Sequence, residues 1–372
     1  LYFHIPFCSK KCSYCHFYVL PDKEPLKLQL MEGFERELAL LLEQLKGKRL
    51  VSIYFGGGTP ALFGAKPLAT LLATIYSYIP FDAKNIEITL EANPENITEQ
   101  LIREYAAAGV NRVSIGVQTL DNDLLIRLGR IHNATKAIDA INMTHQAGID
   151  NISIDLMYDI PGQTLHSWQT TLQSIPQLPI THLSLYNLTI EPHTVFFKYQ
   201  ESLRKELPDA ESSAEMYRMA VDQMNACGLL QYEISAFAKN NLYSRHNVGY
   251  WTGRPFLGVG PSAFSYWEGR RFRNVANLSR YLKSLQEGNL PIDFDEKLEK
   301  EEHQRELLAI ALRLLQGVDL CDFQLAHGIL SKELIEILKN LEKDEFIVKN
   351  GNILTLSTKG ILFYDTVAVD II

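Results

Sequence analysis

The chain has 372 residues, of which 46% are hydrophobic and 22% are charged, so its length and composition predict a packed globular core. A formal net charge of −8 argues against nucleic acid or an anionic membrane as the main partner, although contact with a membrane surface stays open. The sequence contains no apolar run of about 18 residues that could span a bilayer. It also shows no secretory signal, so we expect a cytoplasmic protein.

From residue 1 to about residue 190, short β-branched or aromatic runs alternate with segments of helical periodicity. Six of these runs are predicted to be strands: Tyr2–Ile5, Val51–Phe55, Ile86–Leu90, Arg112–Val117, Ile152–Met157 and His182–Leu188. The helical segments between them include "LQLMEGFERELALLLEQL" and "NATKAIDAINMTHQAG", and several end at a glycine, which suits the position after a helix. This alternation predicts parallel βαβ units.

Polar and glycine-rich residues lie at the carboxyl ends of the predicted strands. The segment "GGGTP" follows the second strand, "EANP" follows the third, Gln118 follows the fourth, and Asp155 lies within the fifth. A parallel barrel draws its site from many strands at that end, whereas an open doubly wound sheet uses one crevice. We therefore predict an α/β fold with a partial parallel (β/α)6 barrel that is TIM-like.

After residue 190 the pattern changes, and we predict three parts. Residues 1–230 form the barrel, residues 231–300 form an extension with an aromatic and basic loop, and residues 301–372 form a C-terminal module. The module is predicted to contain three helices and then two strands joined at "NGN", which is a strong hairpin signal. These elements suggest a winged-helix-like α+β module. Because it lacks a basic recognition helix, a packing or partner role is favoured over binding of nucleic acid.

Three of the five cysteines, Cys8, Cys12 and Cys15, lie within eight residues of one another. In a chain without an export signal, such a group indicates metal binding rather than a disulfide framework. Zinc requires four ligands in a structural site, and His4 or His16 could be the fourth. An iron–sulfur cube is normally held by thiolates, and three cysteines leave one iron without a protein ligand. On spacing alone both interpretations stay open.

The cysteine loop directly follows the first predicted strand, and Tyr14 precedes its third cysteine. In this context the chain resembles the radical S-adenosylmethionine superfamily. Further segments resemble, in the same order, one branch of it: "YFHIPFC", "YFGGGTP", "LEANPENI", "RVSIGVQTLDNDLLIRLGR", "ISIDLMYDIPGQT", "LSLYNLTIEPHT", "YEISAFA" and "RHNVGYW". That branch contains the oxygen-independent coproporphyrinogen III oxidases and the related haem chaperones. The resemblance spans nearly the whole chain, including the C-terminal module.

The resemblance implies that Cys8, Cys12 and Cys15 ligate a [4Fe–4S] cluster whose fourth iron is chelated by S-adenosylmethionine. It also implies a cofactor-binding wall, made of Tyr2, Tyr14, Gly57, Gly58, Thr59, Glu91, Gln118, Arg130 and Asp155. Taken singly, these residues have plainer explanations, such as a tight glycine turn, strand-end caps and a surface cation. The sequence departs from the family at Asp159, because the family usually has Gly-Leu-Pro where this chain has Asp-Ile-Pro.

The segment "RHNVGYW" resembles the His-Asn-x-x-Tyr motif of the haem chaperones, which implies haem binding at His246, Asn247 and Tyr250. Imidazole is a standard axial ligand of haem iron. Two further groups are candidates to pack on a porphyrin or to pair with its propionates: the aromatic residues Trp251, Phe256 and Phe264, and the cations Arg245, Arg254, Arg270 and Arg271. The alternative is that His246 is structural and the aromatic side chains belong to the core.

These features favour a haem chaperone that holds a cluster and S-adenosylmethionine and delivers haem to an acceptor protein. The alternative is an oxygen-independent coproporphyrinogen III oxidase, but the oxidases carry a fourth cysteine where this chain has Phe17. A haem-modifying radical methyltransferase and a zinc-dependent binding module are further possibilities, so catalysis by this chain stays uncertain. The expected partners are haem, an acceptor haem protein, an electron donor of the flavodoxin or ferredoxin type and a second copy of the chain.

Overall fold

The computed structural model describes residues 1–79 and 85–372. Over these residues the main sheet has nine strands: β1 (Tyr2–Ile5), β2 (Ser52–Gly57), β3 (Glu87–Ala92), β4 (Arg112–Gln118), β5 (Asn151–Tyr158), β6 (His182–Asn187), β7 (Leu230–Glu233), β8 (Ala236–Ala238) and β9 (Gly258–Val259). Their order across the sheet is β9-β1-β2-β3-β4-β5-β6-β8-β7. The six predicted strands are confirmed as β1 to β6, each bounded within two residues of the prediction.

The central part of the sheet is parallel and both of its faces are covered. All pairings from β9 through β1 to β6 are parallel, and β8 and β7 add an antiparallel edge after β6. Every residue of β4 is buried, which is the pattern expected of a strand packed on two sides. Strands β9 and β7 are the two ends of the sheet and do not pair with each other, so the barrel is partial, as predicted.

Helices connect the parallel strands and cover the outer face of the sheet. They are α1 (Glu24–Leu45), α2 (Ala65–Tyr78), α3 (Glu99–Ala107), α4 (Asn122–Leu128), α5 (Ala134–Gln146) and α6 (Leu165–Ser174). Side chains of Thr98, Asn133 and Thr164 cap α3, α5 and α6 by accepting backbone N–H bonds. The apolar faces of these helices join the strands in one continuous core. This arrangement leaves the carboxyl ends of the strands for loops.

The middle of the chain continues this frame and adds a small second sheet. Its helices are α7 (Val195–Lys198), α8 (Gln200–Leu203), α9 (Ala210–Ala226), α10 (Arg245–Trp251) and α11 (Leu278–Gln286). The second sheet is antiparallel and consists of β10 (Phe264–Trp267), β11 (Arg270–Asn274) and β12 (Ile292–Lys297). The segment with the "RHNVGYW" motif forms helix α10.

The C-terminal module has its own hydrophobic core. Its elements are α12 (Lys300–Ala311), β13 (Val318–Asp319), α13 (Leu320–His327), α14 (Lys332–Lys343), β14 (Ile347–Asn350), β15 (Ile353–Leu356), α15 (Thr358–Leu362) and α16 (Tyr364–Ile371). The three predicted helices and the hairpin are present, and β13 completes a three-stranded sheet. Helices α15 and α16 were not predicted. Among the helices of the described residues, none is long and apolar enough to cross a membrane.

Candidate functional site

The cysteine loop is held at the carboxyl end of β1 by backbone hydrogen bonds from three directions. The short strands Phe7–Cys8 and Leu20–Pro21 pair at its base. At its tip, the Ser13 amide donates to the Leu128 carbonyl at 3.1 Å, and the Phe196 amide donates to the Ser13 carbonyl at 3.0 Å. The loop is therefore fixed by α4 and α7 as well as by its own strand.

The three cysteines have thiols that are half-buried and unpaired by disulfides. Over residues 1–79 and 85–372, no three His, Cys, Asp or Glu side chains come close enough together to hold one metal ion. Three thiolates on one loop can each ligate a different iron of a cube, whereas a structural zinc site needs four ligands on one ion. Burial raises the pKa of the Cys8 thiol to about 11, and a bound metal would favour its thiolate form. The donor set thus fits an iron–sulfur cluster.

Arg130, which follows α4, joins the cysteine loop to the strand ends. Its Nη1 donates to Cys12 Sγ at 3.4 Å, and its Nη2 donates to Asn93 Oδ1 at 2.7 Å and to the Gly116 carbonyl at 2.8 Å. Although burial opposes the charge, the nearby Tyr14, Cys12 and other acidic groups hold the pKa of Arg130 above its ordinary value. The alternative of an ordinary surface cation does not fit these contacts.

The glycine segment at the end of β2 packs directly against the start of the cysteine loop. The Gly58 amide donates to the Ile5 carbonyl at 2.9 Å, and the Thr59 amide donates to the Phe7 carbonyl at 2.7 Å. A Cβ at Gly58 would lie 2.7 Å from the Phe7 carbonyl oxygen, which leaves no room for a side chain. Thr59 Oγ1 lies 3.6 Å from Cys8 Sγ, so this segment borders the cysteines.

Two carboxylates, Glu91 on β3 and Asp155 on β5, face the barrel interior. Glu91 accepts hydrogen bonds from Tyr54 Oη at 2.7 Å and from the Gly57 amide at 3.0 Å, and Asp155 accepts one from Ser114 Oγ at 3.2 Å. Burial raises the pKa of Glu91 to about 7, and the pKa of Asp155 to about 6. Such acceptors suit hydroxyl groups of a polar ligand.

The remaining predicted cofactor residues lie around this interior. Tyr2 lies beside Tyr54, with ring centroids 6.1 Å apart, and its hydroxyl lies 3.1 Å from His4 Nδ1. Tyr14 on the cysteine loop packs against Phe196. Gln118 is buried and has a φ of 68°, a conformation that is costly for a residue with a side chain and often marks functional sites. Except for Tyr2, which is the first residue of β1 and whose ring also lies 6.3 Å from that of His246, these residues lie toward the same end of the barrel as the cysteines.

Asp159, where the resemblance implies a glycine, has a φ of 61°, a left-handed conformation that glycine adopts without strain. Its Oδ2 accepts hydrogen bonds from Asn187 Nδ2 at 2.6 Å and from Ser213 Oγ at 2.5 Å. The carboxylate therefore fixes the loop after β5 to β6 and α9.

The predicted haem motif lies at the opposite end of the strands from the cysteines. The His246 amide donates to Glu87, the first residue of β3, and His246 Nδ1 lies 2.9 Å from Oγ of Ser52, the first residue of β2. The other ring nitrogen, Nε2, lies 2.7 Å from Tyr250 Oη. His246 is only 5% exposed, and both of its ring nitrogens have protein partners. Asn247 is half-buried beside it on α10.

A cavity of about 350 Å³ opens beside His246 and Tyr250. Its wall includes the apolar side chains Leu45, Leu50, Ile79, Phe256, Leu257 and Trp267, together with the cations Lys48, Arg49 and Arg254. Burial and the neighbouring Arg245 and Arg49 lower the pKa of Arg254, whereas Glu87 opposes this shift. Arg270 and Arg271 are instead paired with Asp295, Glu296 and Glu306, which argues against their predicted role with propionates.

Sequence reasoning did not single out Tyr54 and Asn93. Tyr54 bonds to Glu91, while Asn93 Nδ2 donates to Thr59 Oγ1 at 2.9 Å and Asn93 Oδ1 accepts from Arg130. Both lie inside segments that carried the resemblance, "YFGGGTP" and "LEANPENI". The sequence signal for each was its position in a segment that also contains predicted site residues.

Comparison with known proteins agrees with this geometry. Residues 2–175 match the Radical SAM superfamily, and residues 298–363 match the HemN C-terminal domain. The structure of coproporphyrinogen III oxidase (HemN) from Escherichia coli superposes with a TM-score of 0.87 and 21% identity, covering 100% of this chain and 89% of that chain. The fold is therefore that of a radical S-adenosylmethionine protein.

The curated relatives identify the family within this class. The heme chaperone HemW of Bacillus subtilis (strain 168) is 33% identical over 362 residues, covering 96% of this chain and 95% of the relative. HemW of Lactococcus lactis is 34% identical over 346 residues, covering 90% and 88%. The mitochondrial radical S-adenosyl methionine domain-containing protein 1 of Danio rerio is 38% identical over 263 residues, covering 71% and 59%. The chain belongs to the HemW family of haem chaperones.

Proposed function

We propose that this chain is a haem chaperone that carries a [4Fe–4S] cluster and S-adenosylmethionine at one end of its barrel, binds haem at the other, and passes haem to an acceptor protein. The observation that carries the proposal is the separation of the two sites. The cysteines follow the last residue of β1, whereas His246 contacts the first residues of β2 and β3. Cargo bound at His246 would therefore lie at the other end of the strands from the cysteines, which suits transport better than chemistry on the porphyrin.

At the cysteine end, Cys8, Cys12 and Cys15 hold the cluster and Arg130 balances its charge through Cys12. Thr59 and the glycine segment border the cofactor's methionine group, and Glu91 accepts from a ribose hydroxyl. When bound, the cluster and S-adenosylmethionine supply one-electron chemistry, and a flavodoxin or ferredoxin is the corresponding class of electron donor. Turnover is not required for a chaperone, and in this proposal the pair supports dimerisation or haem transfer.

At the other end, haem enters the cavity beside α10, and its propionates meet Lys48, Arg49 and Arg254. Burial and nearby cations keep the pKa of His246 well below its ordinary value, so the imidazole is neutral, which is the ligand form. Ligation through Nε2 requires the Tyr250 hydroxyl to move away. The bond to Ser52 then fixes the other nitrogen, as hydrogen-bonded partners of metal-bound histidines do. We propose the cytoplasm as the place where this transfer occurs.

The test is a haem titration of the anaerobically reconstituted protein, followed by absorbance. We expect stoichiometric binding by the parent protein and at least about tenfold weaker binding by His246→Ala with unchanged iron and sulfide content. Cys12→Ala should lose the cluster and keep haem binding. In parallel, the protein is incubated with S-adenosylmethionine, reductant and coproporphyrinogen III. Formation of the divinyl product with 5′-deoxyadenosine would overturn the chaperone proposal in favour of the oxidase.

A further inference from the structure

Tyr54 of β2 contacts residues at both ends of the barrel. Its hydroxyl donates to Glu91 Oε1 at 2.7 Å, and its ring stacks on the ring of His246 with centroids 4.8 Å apart at an interplanar angle of 27°. Tyr54 is buried, and its ring also lies beside Tyr2. A single rigid aromatic side chain therefore contacts both the predicted ribose acceptor and the predicted haem ligand.

The two groups that Tyr54 contacts, Glu91 and His246, are themselves held by further hydrogen bonds and close contacts. Glu91 is held by the Gly57 amide at 3.0 Å, and a Cβ at the preceding residue, Gly56, would lie 2.9 Å from the Tyr54 ring. His246 is held by Ser52 and Tyr250 at 2.9 Å and 2.7 Å. In a close-packed interior, a shift at one end is transmitted rather than absorbed.

We propose that Tyr54 is a positioning residue that couples S-adenosylmethionine binding at Glu91 to the state of His246. The proposal rests on the proposed function, because it requires the cofactor's ribose at Glu91. The hydroxyl orients the carboxylate for the ribose, and the imidazole ring of His246 keeps the tyrosine ring in place. Since coupling between two ligands is reciprocal, cofactor occupancy then changes haem affinity by the same factor as haem changes cofactor affinity.

The pH dependence of cofactor binding gives a readout that a purely structural role would not move. Burial raises the pKa of Glu91 to about 7 and the Tyr54 hydrogen bond lowers it. The titratable and charged groups that face this carboxylate from the surrounding elements are Tyr2, Tyr54, Arg112, Asp155, Tyr186 and Tyr250. Because the carboxylate is the better acceptor, cofactor affinity should fall as pH decreases through about 7. In Tyr54→Phe the midpoint should move to higher pH.

The main experiment is a double-mutant cycle on the affinity of the cluster-loaded protein for S-adenosylmethionine, measured by calorimetry. Tyr54→Phe should weaken binding about tenfold, because a charge-assisted hydrogen bond that orients the carboxylate is lost. His246→Ala, at the other end of the barrel, should weaken it about fivefold, because Tyr54 loses the ring on which it stacks. The double variant should bind S-adenosylmethionine no more weakly than Tyr54→Phe alone. This is expected because the position of the Tyr54 ring affects cofactor affinity only by placing its hydroxyl against Glu91.

Two further variants separate this role from ordinary destabilisation. His246→Phe keeps a ring for stacking, so cofactor affinity should stay near that of the parent while haem ligation is lost. His182→Ala removes another fully buried histidine that is bonded to Ser153 and Tyr232, but that residue does not stack on Tyr54, so it should leave cofactor affinity unchanged.

Unchanged affinity in His246→Ala, additive effects in the double variant, or an unmoved pH midpoint in Tyr54→Phe would each overturn the coupling while leaving the proposed function standing. If the parent protein itself fails to bind S-adenosylmethionine, the cofactor part of the proposed function fails and the coupling falls with it.

Discussion

At the scale of single residues, Asp159 shows how a side chain can replace a glycine that the backbone prefers. Its φ of 61° lies in the left-handed region, which glycine adopts without strain. The hydrogen bonds from Asn187 and Ser213 to its carboxylate offset that cost. The position therefore balances backbone strain against side-chain contacts, and two substitutions can separate them.

Asp159→Ala should destabilise the protein by about 2 kcal/mol, because it removes both hydrogen bonds and keeps the strain. Asp159→Gly also removes the bonds but relieves the strain, so it should be about 1 kcal/mol more stable than the alanine variant. Urea unfolding of both variants measures the difference. Equal stabilities would mean that the left-handed backbone at this loop costs nothing.

The cysteine site could be proposed from sequence because its three cysteines lie within eight residues of one another. Tyr54 could not, because its partners Glu91 and His246 are distant in sequence and meet only when β2, β3 and α10 assemble. The structure shows that His246 is buried with both ring nitrogens bonded, as expected if this residue has a structural role. Ligation of haem there stays a prediction.

At the scale of elements, helix α1 carries a buried carboxylate that fastens it to the extension of the barrel. Glu37 accepts hydrogen bonds from the Gly260 amide at 2.7 Å, from Asn274 Nδ2 at 2.5 Å and from Tyr281 Oη at 2.6 Å. Burial raises its pKa to about 7 even though these three bonds oppose the shift. The contact between α1 and the elements around β9, β11 and α11 is therefore sensitive to pH.

The folded protein holds a proton on Glu37 at pH values where the unfolded chain has already released it. Stability from this group is thus lost as pH rises from about 4.5 to about 7, on the order of 3 kcal/mol. The glutamine in Glu37→Gln cannot ionise. The free energy of unfolding of this variant, measured with urea, should therefore rise relative to that of the parent by about this amount between pH 4 and pH 8. Glu43→Gln on the exposed face of the same helix is the control. Parallel pH profiles for Glu37→Gln and the parent would contradict the assignment.

The elements that sequence predicted well are those with a clear period, namely β1 to β6 and the long helices between them. Helix α10 was missed because seven residues containing Gly249 and two aromatic residues show no helical period, and its stability comes from burial against β2 and the Ser244 cap. The small sheet of β10 to β12 was missed for a similar reason. Its outer strand β12 is mostly exposed and charged, so it lacks the apolar alternation of a strand.

At the scale of the whole molecule, Arg313 connects the C-terminal module to the barrel. Its guanidinium pairs with the buried Glu233 of β7 at 3.2 Å, and it lies over the rings of Trp251 at 4.3 Å and Tyr364 at 5.1 Å. The module, the barrel edge and the helix with the predicted haem motif therefore share one cation.

Arg313→Met should destabilise the protein by about 3 kcal/mol, because it leaves the Glu233 carboxylate buried without its partner. The loosened module should also become more sensitive to limited proteolysis near residue 300. Arg218→Met, which removes an exposed ion pair with Glu215 on α9, should change stability by less than about 1 kcal/mol. If both variants behave alike, the Arg313 contacts contribute no more than a surface pair.

The anchoring of the cysteine loop also makes its geometry depend on segments that are distant in sequence. Its tip is bonded to Leu128 and Phe196, and its strand β1 pairs on the outer side with Gly258 and Val259. Pairings of such high sequence separation form slowly, because a long loop must close before they contribute any stability. The three thiols therefore reach the geometry of the folded loop only after residues as distant as Val259 have packed beside β1.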